Sequence, residues 1–128
     1  MILLLDSSTP ELRVVIVHDD EQHAYVWQAD RQLAKGLLAY LEQCLQAHDG
    51  GFQSLKGIVV FEGPGSFTGL RIGMTVANTL AQSLNIPIVA TRSDAWRERA
   101  IERLNLGEND RLVVPYYGSE ARITTPRK

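Results

Sequence analysis

Up to Trp27 the apolar residues come in short runs and alternations. From Asp30 onward they recur at spacings of three and four, interrupted by brief unbroken apolar stretches. The first pattern predicts strands, and the second predicts helices joined by buried strands. Ile2 to Leu5 read as an opening strand closed by the polar turn Asp6, Ser7, Ser8, Thr9 and Pro10. Leu12 to Val17 and His23 to Trp27 are rich in β-branched and aromatic residues, and Asp19-Asp20-Glu21 separates them as a hairpin loop. Asp30 is the expected N-cap of a helix reaching about His48, whose apolar positions are Leu33, Leu37, Leu41, Cys44, Leu45 and His48, and Asp49-Gly50-Gly51 ends it. Ile58 to Phe61 and Pro87 to Thr91 read as buried strands. Helices are expected from about Thr68 to Leu84 and from Ser93 to Leu104, with weaker strand candidates at Leu112 to Pro115 and Glu120 to Thr125. Strands that open a chain and then alternate with helices predict an α/β fold with a mixed sheet flanked by helices.

The helix from Phe67 to Leu84 has more apolar surface than one layer needs. On a wheel, Leu70, Ile72, Met74, Val76, Leu80 and Leu84 spread over roughly 200°, about twice the usual stripe, with Arg71, Thr75, Asn78, Thr79 and Gln82 opposite. A row of small residues, Gly69, Gly73, Ala77 and Ala81, runs through that arc. Two mid-helix glycines each cost on the order of 1 kcal/mol relative to alanine, so close packing is expected to offset them. A crossing helix is the expected neighbour, either the first helix of the chain or one from another polypeptide. A bulky residue at Gly73 is expected to disturb association while leaving the fold nearly intact.

Composition narrows the class. The chain has 128 residues, 45% of them apolar, enough for one domain with a substantial core. A net charge of -2 gives no overall basic field for holding nucleic acid. The lone Cys44 excludes an internal disulfide and is expected to pack in the core. Met1 to Leu5 lack the flank and length of a secretory signal, and no stretch reaches membrane-spanning length, so the expected location is the cytoplasm.

The most constrained stretch is Gly57 to Gly73, a buried strand entering a helix through Gly63, Pro64 and Gly65. Ser66 or Thr68 is placed to cap that helix, whose first amides could hold an anion or simply close a tight turn. The loop has no P-loop lysine, and Thr68 stands where a dinucleotide fingerprint needs its third glycine. Gly65-Ser66-Phe67 departs from the nucleophile elbow, and no base is apparent for Ser66. His18, His23 and His48 are scattered, and the helical pair Cys44 and His48 lacks further ligands nearby, so no metal site is expected. Asp6 ends a strand ahead of hydroxyl residues. It suits either a magnesium-bound phosphate or the commoner task of capping its own turn.

Ile2 to Pro10, the eleven-residue run from Gly63 to Gly73, and Asn85-Ile86-Pro87-Ile88-Val89 together resemble the TsaB (YeaZ) family, the accessory subunits of bacterial tRNA threonylcarbamoyladenosine synthesis. The resemblance covers most of the chain and the N-terminal half of a usual member. It implies a single actin-like, ribonuclease-H-like domain over residues 1–128, with the second lobe missing. In that family catalysis belongs to the paralog TsaD, which binds metal through paired histidines after the strand equivalent to Ile88 to Thr91. Here that window reads Arg92 to Arg99 without histidine. The resemblance therefore implies a non-catalytic scaffold supporting modification of adenosine 37 in tRNA. It would dock its first two helices on a TsaD-type subunit, or on a second copy, with a TsaE-type ATPase as a further partner and tRNA reached only through the complex. The residues expected at that interface are Leu33, Leu37, Leu41, Gly69, Leu70, Gly73, Met74, Ala77, Leu80 and Ala81. No cofactor is expected on the isolated chain. ATP or ADP with magnesium is expected at the complex boundary, where Asp6, Ser7, Ser8, Thr9, Gly63, Pro64, Gly65, Ser66 and Thr68 would lie. Two rival readings are a minimal ATPase or kinase-like domain using Asp6, and a protease acting on its own paralogs through Ser66. The family's Asp-Ala-Arg segment is replaced here by residues 115–120.

Overall fold

The computed structural model describes residues 1–48 and 50–116. Its elements run β1 (Ile2–Asp6), β2 (Glu11–His18), β3 (Glu21–Gln28), α1 (Leu33–Gln46), β4 (Gly57–Phe61), α2 (Phe67–Leu84), β5 (Ile88–Thr91) and α3 (Trp96–Asn105). They build a five-stranded sheet in the order β3-β2-β1-β4-β5. β1 pairs antiparallel with β2 and parallel with β4, so the sheet is mixed as the element order predicts. The β2–β3 hairpin closes through Asp19 and Asp20 alone, both at positive φ, the turn that matches the twist of paired strands; Glu21 already belongs to β3.

The two faces of the sheet are covered unequally. Leu3, Leu5, Val14, Ile16, Ile58 and Val60 point toward α1 and α2, where Leu37, Leu41, Leu45 and Met74 meet them in the larger core. Leu4, Val15, Val59 and Val89 face Trp96 and Ala100 of α3 in a smaller one. Continuous apolar runs in β1 and β4 follow from this double coverage, each buried aliphatic side chain contributing about 1.5–3 kcal/mol. Trp27 of β3 stacks on Tyr40 of α1 at 4.8 Å, with its ring against Gly36. Cys44 packs in the core.

Three expectations need correction. Asp30 does not cap α1: it sits at φ 48 in a preceding 3-10 turn, and its carboxylate accepts from Gln28 Nε2 at 3.2 Å. The cap position falls to Gln32, without a side-chain bond, and α1 ends at Gln46, short of His48. Leu112 to Pro115 form no strand, because the edge they would join is already occupied. Ile88 N–H donates to Asn109 Oδ1 and Ile88 C=O accepts from Asp110 N–H, while Ala90 N–H donates to Asp110 Oδ2 and Ala90 C=O accepts from Arg103. The chain then turns away, and Asn78 of α2 clasps the backbone of Val113 through bonds of 2.9 and 3.0 Å. The remaining strand candidate, Glu120 to Thr125, lies outside the described residues. Among the described residues no helix is long and apolar enough to cross a membrane.

Candidate functional site

The fold brings the two loops singled out in the sequence against each other. β1 and β4 are parallel neighbours, so the Asp6 turn and the Gly63–Gly65 turn leave the sheet side by side. Asp6 Oδ1 accepts from Ser8 N–H at 2.9 Å and from Ser8 Oγ at 2.6 Å, closing its own turn. Ser66 N–H donates to Ser8 C=O at 2.7 Å and joins the loops. The Gly63-Pro64 peptide is cis, and Gly63 takes φ 113 where a Cβ would run into the Tyr116 carbonyl, a position closed to other residues. Ser66, not Thr68, caps α2, its Oγ accepting from Gly69 N–H at 3.2 Å. Of the amides a phosphate would use, those of Ser66 and Gly69 thus already have acceptors within the chain.

The glycine row of α2 faces inward. A Cβ on Gly65 would meet Ser8, one on Gly69 would strike the Ser7 carbonyl, and one on Gly73 would collide with the Ser7 side chain. Ser7 is fully buried in this notch, and its hydroxyl has no hydrogen-bond partner among the described residues. The close neighbour that Gly69 and Gly73 admit is therefore the β1 turn, not a crossing helix, and substitution at Gly73 must disturb the fold. Leu33, Leu37, Leu41, Gly69, Leu70, Gly73, Met74, Ala77 and Ala81 are all buried inside the chain, and Leu80 is half-buried. Helical amphipathicity alone does not distinguish a face turned to its own sheet from one turned outward.

The outward surface is built from other residues. Phe67 and Leu38 are 53% and 52% exposed, and Ile72 and Val76 are half-buried where α2 runs beside α1. Phe67, Ile72 and Val76, with Ala34, Thr68, Arg71 and Thr75, line an open groove of 380 Å³. It meets a second cavity of 640 Å³ lined by Thr9, Pro10, Gln28, Asp30, Ser66 and Thr68, among others, of a size that suits a small ligand. Neither is lined by a histidine. The sequence signal for the outer surface is the pair Ile72 and Val76, one turn apart and beside the small-residue row.

A third cavity, 480 Å³, opens at the carboxyl ends of β4 and β5, where α/β sheets commonly place ligands. Glu62, Arg92 and Arg103 line it, none of them singled out by sequence. Burial pushes the Glu62 carboxyl up, opposed by Arg92, which donates to it at 3.2 Å and covers the Tyr116 ring at 3.8 Å. At the opposite end of the sheet the scattered histidines converge. The His23 and His48 rings lie 4.4 Å apart, His18 is 6.0 Å from His48, and Tyr25 Oη meets His48 Nε2 at 2.8 Å. Among the described residues no group of three or more His, Cys, Asp or Glu is placed to hold a metal ion.

This arrangement has known counterparts. A solved structure, YeaZ from Pseudomonas aeruginosa, superposes with a TM-score of 0.68 at 28% identity, over 81% of this chain and 49% of that one. The tRNA threonylcarbamoyladenosine biosynthesis protein TsaB of Bacillus subtilis is 39% identical over 93 residues, 72% of this chain and 41% of that protein. The tRNA N6-adenosine threonylcarbamoyltransferase of Geotalea daltonii is 31% identical over 75 residues, 59% of this chain and 22% of that enzyme. The chain spans about half the length of the curated TsaB relatives it matches. Its sheet and flanking helices are the actin-like arrangement expected from the resemblance. Residues 27–96, more than half of the chain, match the family model described as TsaD: tRNA N6-adenosine threonylcarbamoyltransferase. The chain accordingly belongs to the TsaD family, within its TsaB (YeaZ) branch.

Proposed function

We propose that this chain is a non-catalytic accessory subunit in the synthesis of N6-threonylcarbamoyladenosine at adenosine 37 of tRNA, docking on a TsaD-type subunit through the outer faces of α1 and α2. The observation that carries this reading is the groove of Ala34, Phe67, Ile72 and Val76, apolar and open on the helix pair that holds the Gly63–Gly73 motif. Covering such a patch removes apolar area from water, the main favourable contribution to association. Kinship supports the choice of partner, since the chain is similar both to TsaB proteins and to a transferase of the TsaD type. With a net charge of -2, tRNA is reached through the assembly and not by this chain alone. The assembly works in the cytoplasm, a TsaE-type ATPase is a further member, and ATP or ADP with magnesium sits at the shared boundary. The Asp6 turn, already closed by Ser8, is a structural support for that boundary and not an independent ATPase site.

Mixing the chain with the purified TsaD-type subunit of the same organism and measuring mass by sedimentation tests this. A one-to-one complex, and threonylcarbamoylation of tRNA that requires both proteins, are the expected outcomes. No association at micromolar concentration would sink the reading. Calorimetry with magnesium-ATP addresses the rival enzyme: tight binding to the isolated chain, lost in Asp6→Ala, would favour it.

A further inference from the structure

We propose that the cavity at the carboxyl ends of β4 and β5 binds a small zwitterion, an α-amino acid whose carboxylate is taken by Arg92 and Arg99 and whose ammonium is taken by Glu62 and Glu102. The site is independent of the docking reading, because α3, which walls it, packs on the opposite face of the sheet from α1 and α2. The parallel neighbours β4 and β5 end side by side at this 480 Å³ opening, whose size suits a small ligand. Five charged side chains line it, and one is already spent. Arg103 donates to Glu108 at 2.7 Å, to both carboxylate oxygens of Asp110 and to the Ala90 carbonyl, so it serves as wall. Two cations and two carboxylates remain. Arg92 and Glu62 hold each other through a bond of 3.2 Å, with the arginine side chain 51% exposed and the glutamate 25%. Arg99 and Glu102, one turn apart on α3, form no ion pair among the described residues.

These four charges cancel, and that balance selects the ligand. A simple anion that took Arg92 would leave Glu62, partly withdrawn from water, without its counter-charge, and burial already works against the ionised form of that carboxylate. A simple cation on Glu62 would strip Arg92 in the same way. A molecule carrying both signs side by side replaces the one internal pair with two external ones, each a charge-assisted hydrogen bond. The closeness of Arg92 and Glu62 matches charges on neighbouring atoms, as in the head of an α-amino acid, and not the distant ends of a diamine. Ser93, the next residue of the lining, is held at φ 85, a conformation costly for any residue but glycine. With Ala90 and Thr91 it completes a lining that has no large apolar side chain, so the two charged groups of the ligand carry its recognition.

Titration of the isotope-labelled chain with L-serine or glycine, followed through amide shifts, tests this. Saturating shifts at Arg92, Ser93, Arg99 and Glu102, with Kd on the order of 1 mM, are the expected result. Propionate and ethanolamine each keep one of the two charges and are expected to bind at least about tenfold more weakly, as is L-serine with Glu62→Gln or Arg92→Met. Arg99→Met, at an exposed position, is expected to keep the wild-type spectrum outside the cavity and to bind L-serine more weakly, which separates lost binding from lost folding. If propionate or inorganic phosphate binds as tightly as L-serine, the site reads anions alone and the zwitterion is refuted. The proposal also falls if neither amino acid moves these amides at about 50 mM, far above the expected Kd. It falls equally if all three variants bind L-serine as the wild type does.

Discussion

The inner and outer faces of α2 differ in what approaches them. On the inner face Gly69 and Gly73 let the Ser7 backbone and side chain come into contact with the helix, and Met74, Ala77 and Ala81 complete the seal against the sheet. On the outer face Phe67, Ile72 and Val76 leave apolar surface open to solvent around a single cation. A small-residue stripe therefore reports that something comes close without saying whether it is a strand turn of the same chain or a foreign helix. The residues left for a partner are the larger ones that this close fit does not use.

Substitutions on the two faces should separate stability from assembly. Gly73→Leu forces a branched side chain into the space held by Ser7 and should destabilise the fold by about 3 kcal/mol or more, read from urea denaturation. A folded Gly73→Leu protein with wild-type stability would erase the distinction between the faces. Asn78 lies beside the inner face and holds the returning chain. Asn78→Ala leaves the Val113 N–H and C=O without their partners and should cost about 1–3 kcal/mol, with faster amide exchange at Val113.

A smaller effect is expected from the neighbouring helix. Burial first, and then Cys44 and Tyr25, push the Tyr40 phenol from 10.0 up to about 12, so the folded state favours its neutral form. That contribution is whole below pH 10 and is lost as pH rises through about 12. Denaturation curves collected across this interval should show falling stability in the wild type, and a shallower fall in Tyr40→Phe. Least of all, Phe67→Asp should change stability by no more than about 0.5 kcal/mol, since its ring is largely exposed, while weakening capture of the partner.

Much of the architecture was legible because each element carries its own periodicity. β1 and β4 are unbroken apolar runs covered on both faces, and Ser66 stands where a cap is needed ahead of α2. What failed depended on contacts between distant residues. The run Leu112 to Val114 has strand-like composition, but Asn109, Asp110 and Arg103 had already taken the edge it would have joined. His48 is far in sequence from His18 and His23 and meets them only because the β2–β3 hairpin reaches the end of α1. The orientation of the glycine row could not be read either, since it depends on Ser7 lying beneath α2.

The hydrogen bonds along β5 bear on how this molecule behaves when crowded. Every outward N–H and C=O of Ile88 and Ala90 is occupied from within the chain, so that margin offers no template to a neighbouring molecule. Among the described residues the other margin, β3, has no strand beyond it, and it carries an exposed Val26. Strand-to-strand aggregation in concentrated solution would accordingly start at β3, and a lysine at Val26 is the natural way to suppress it.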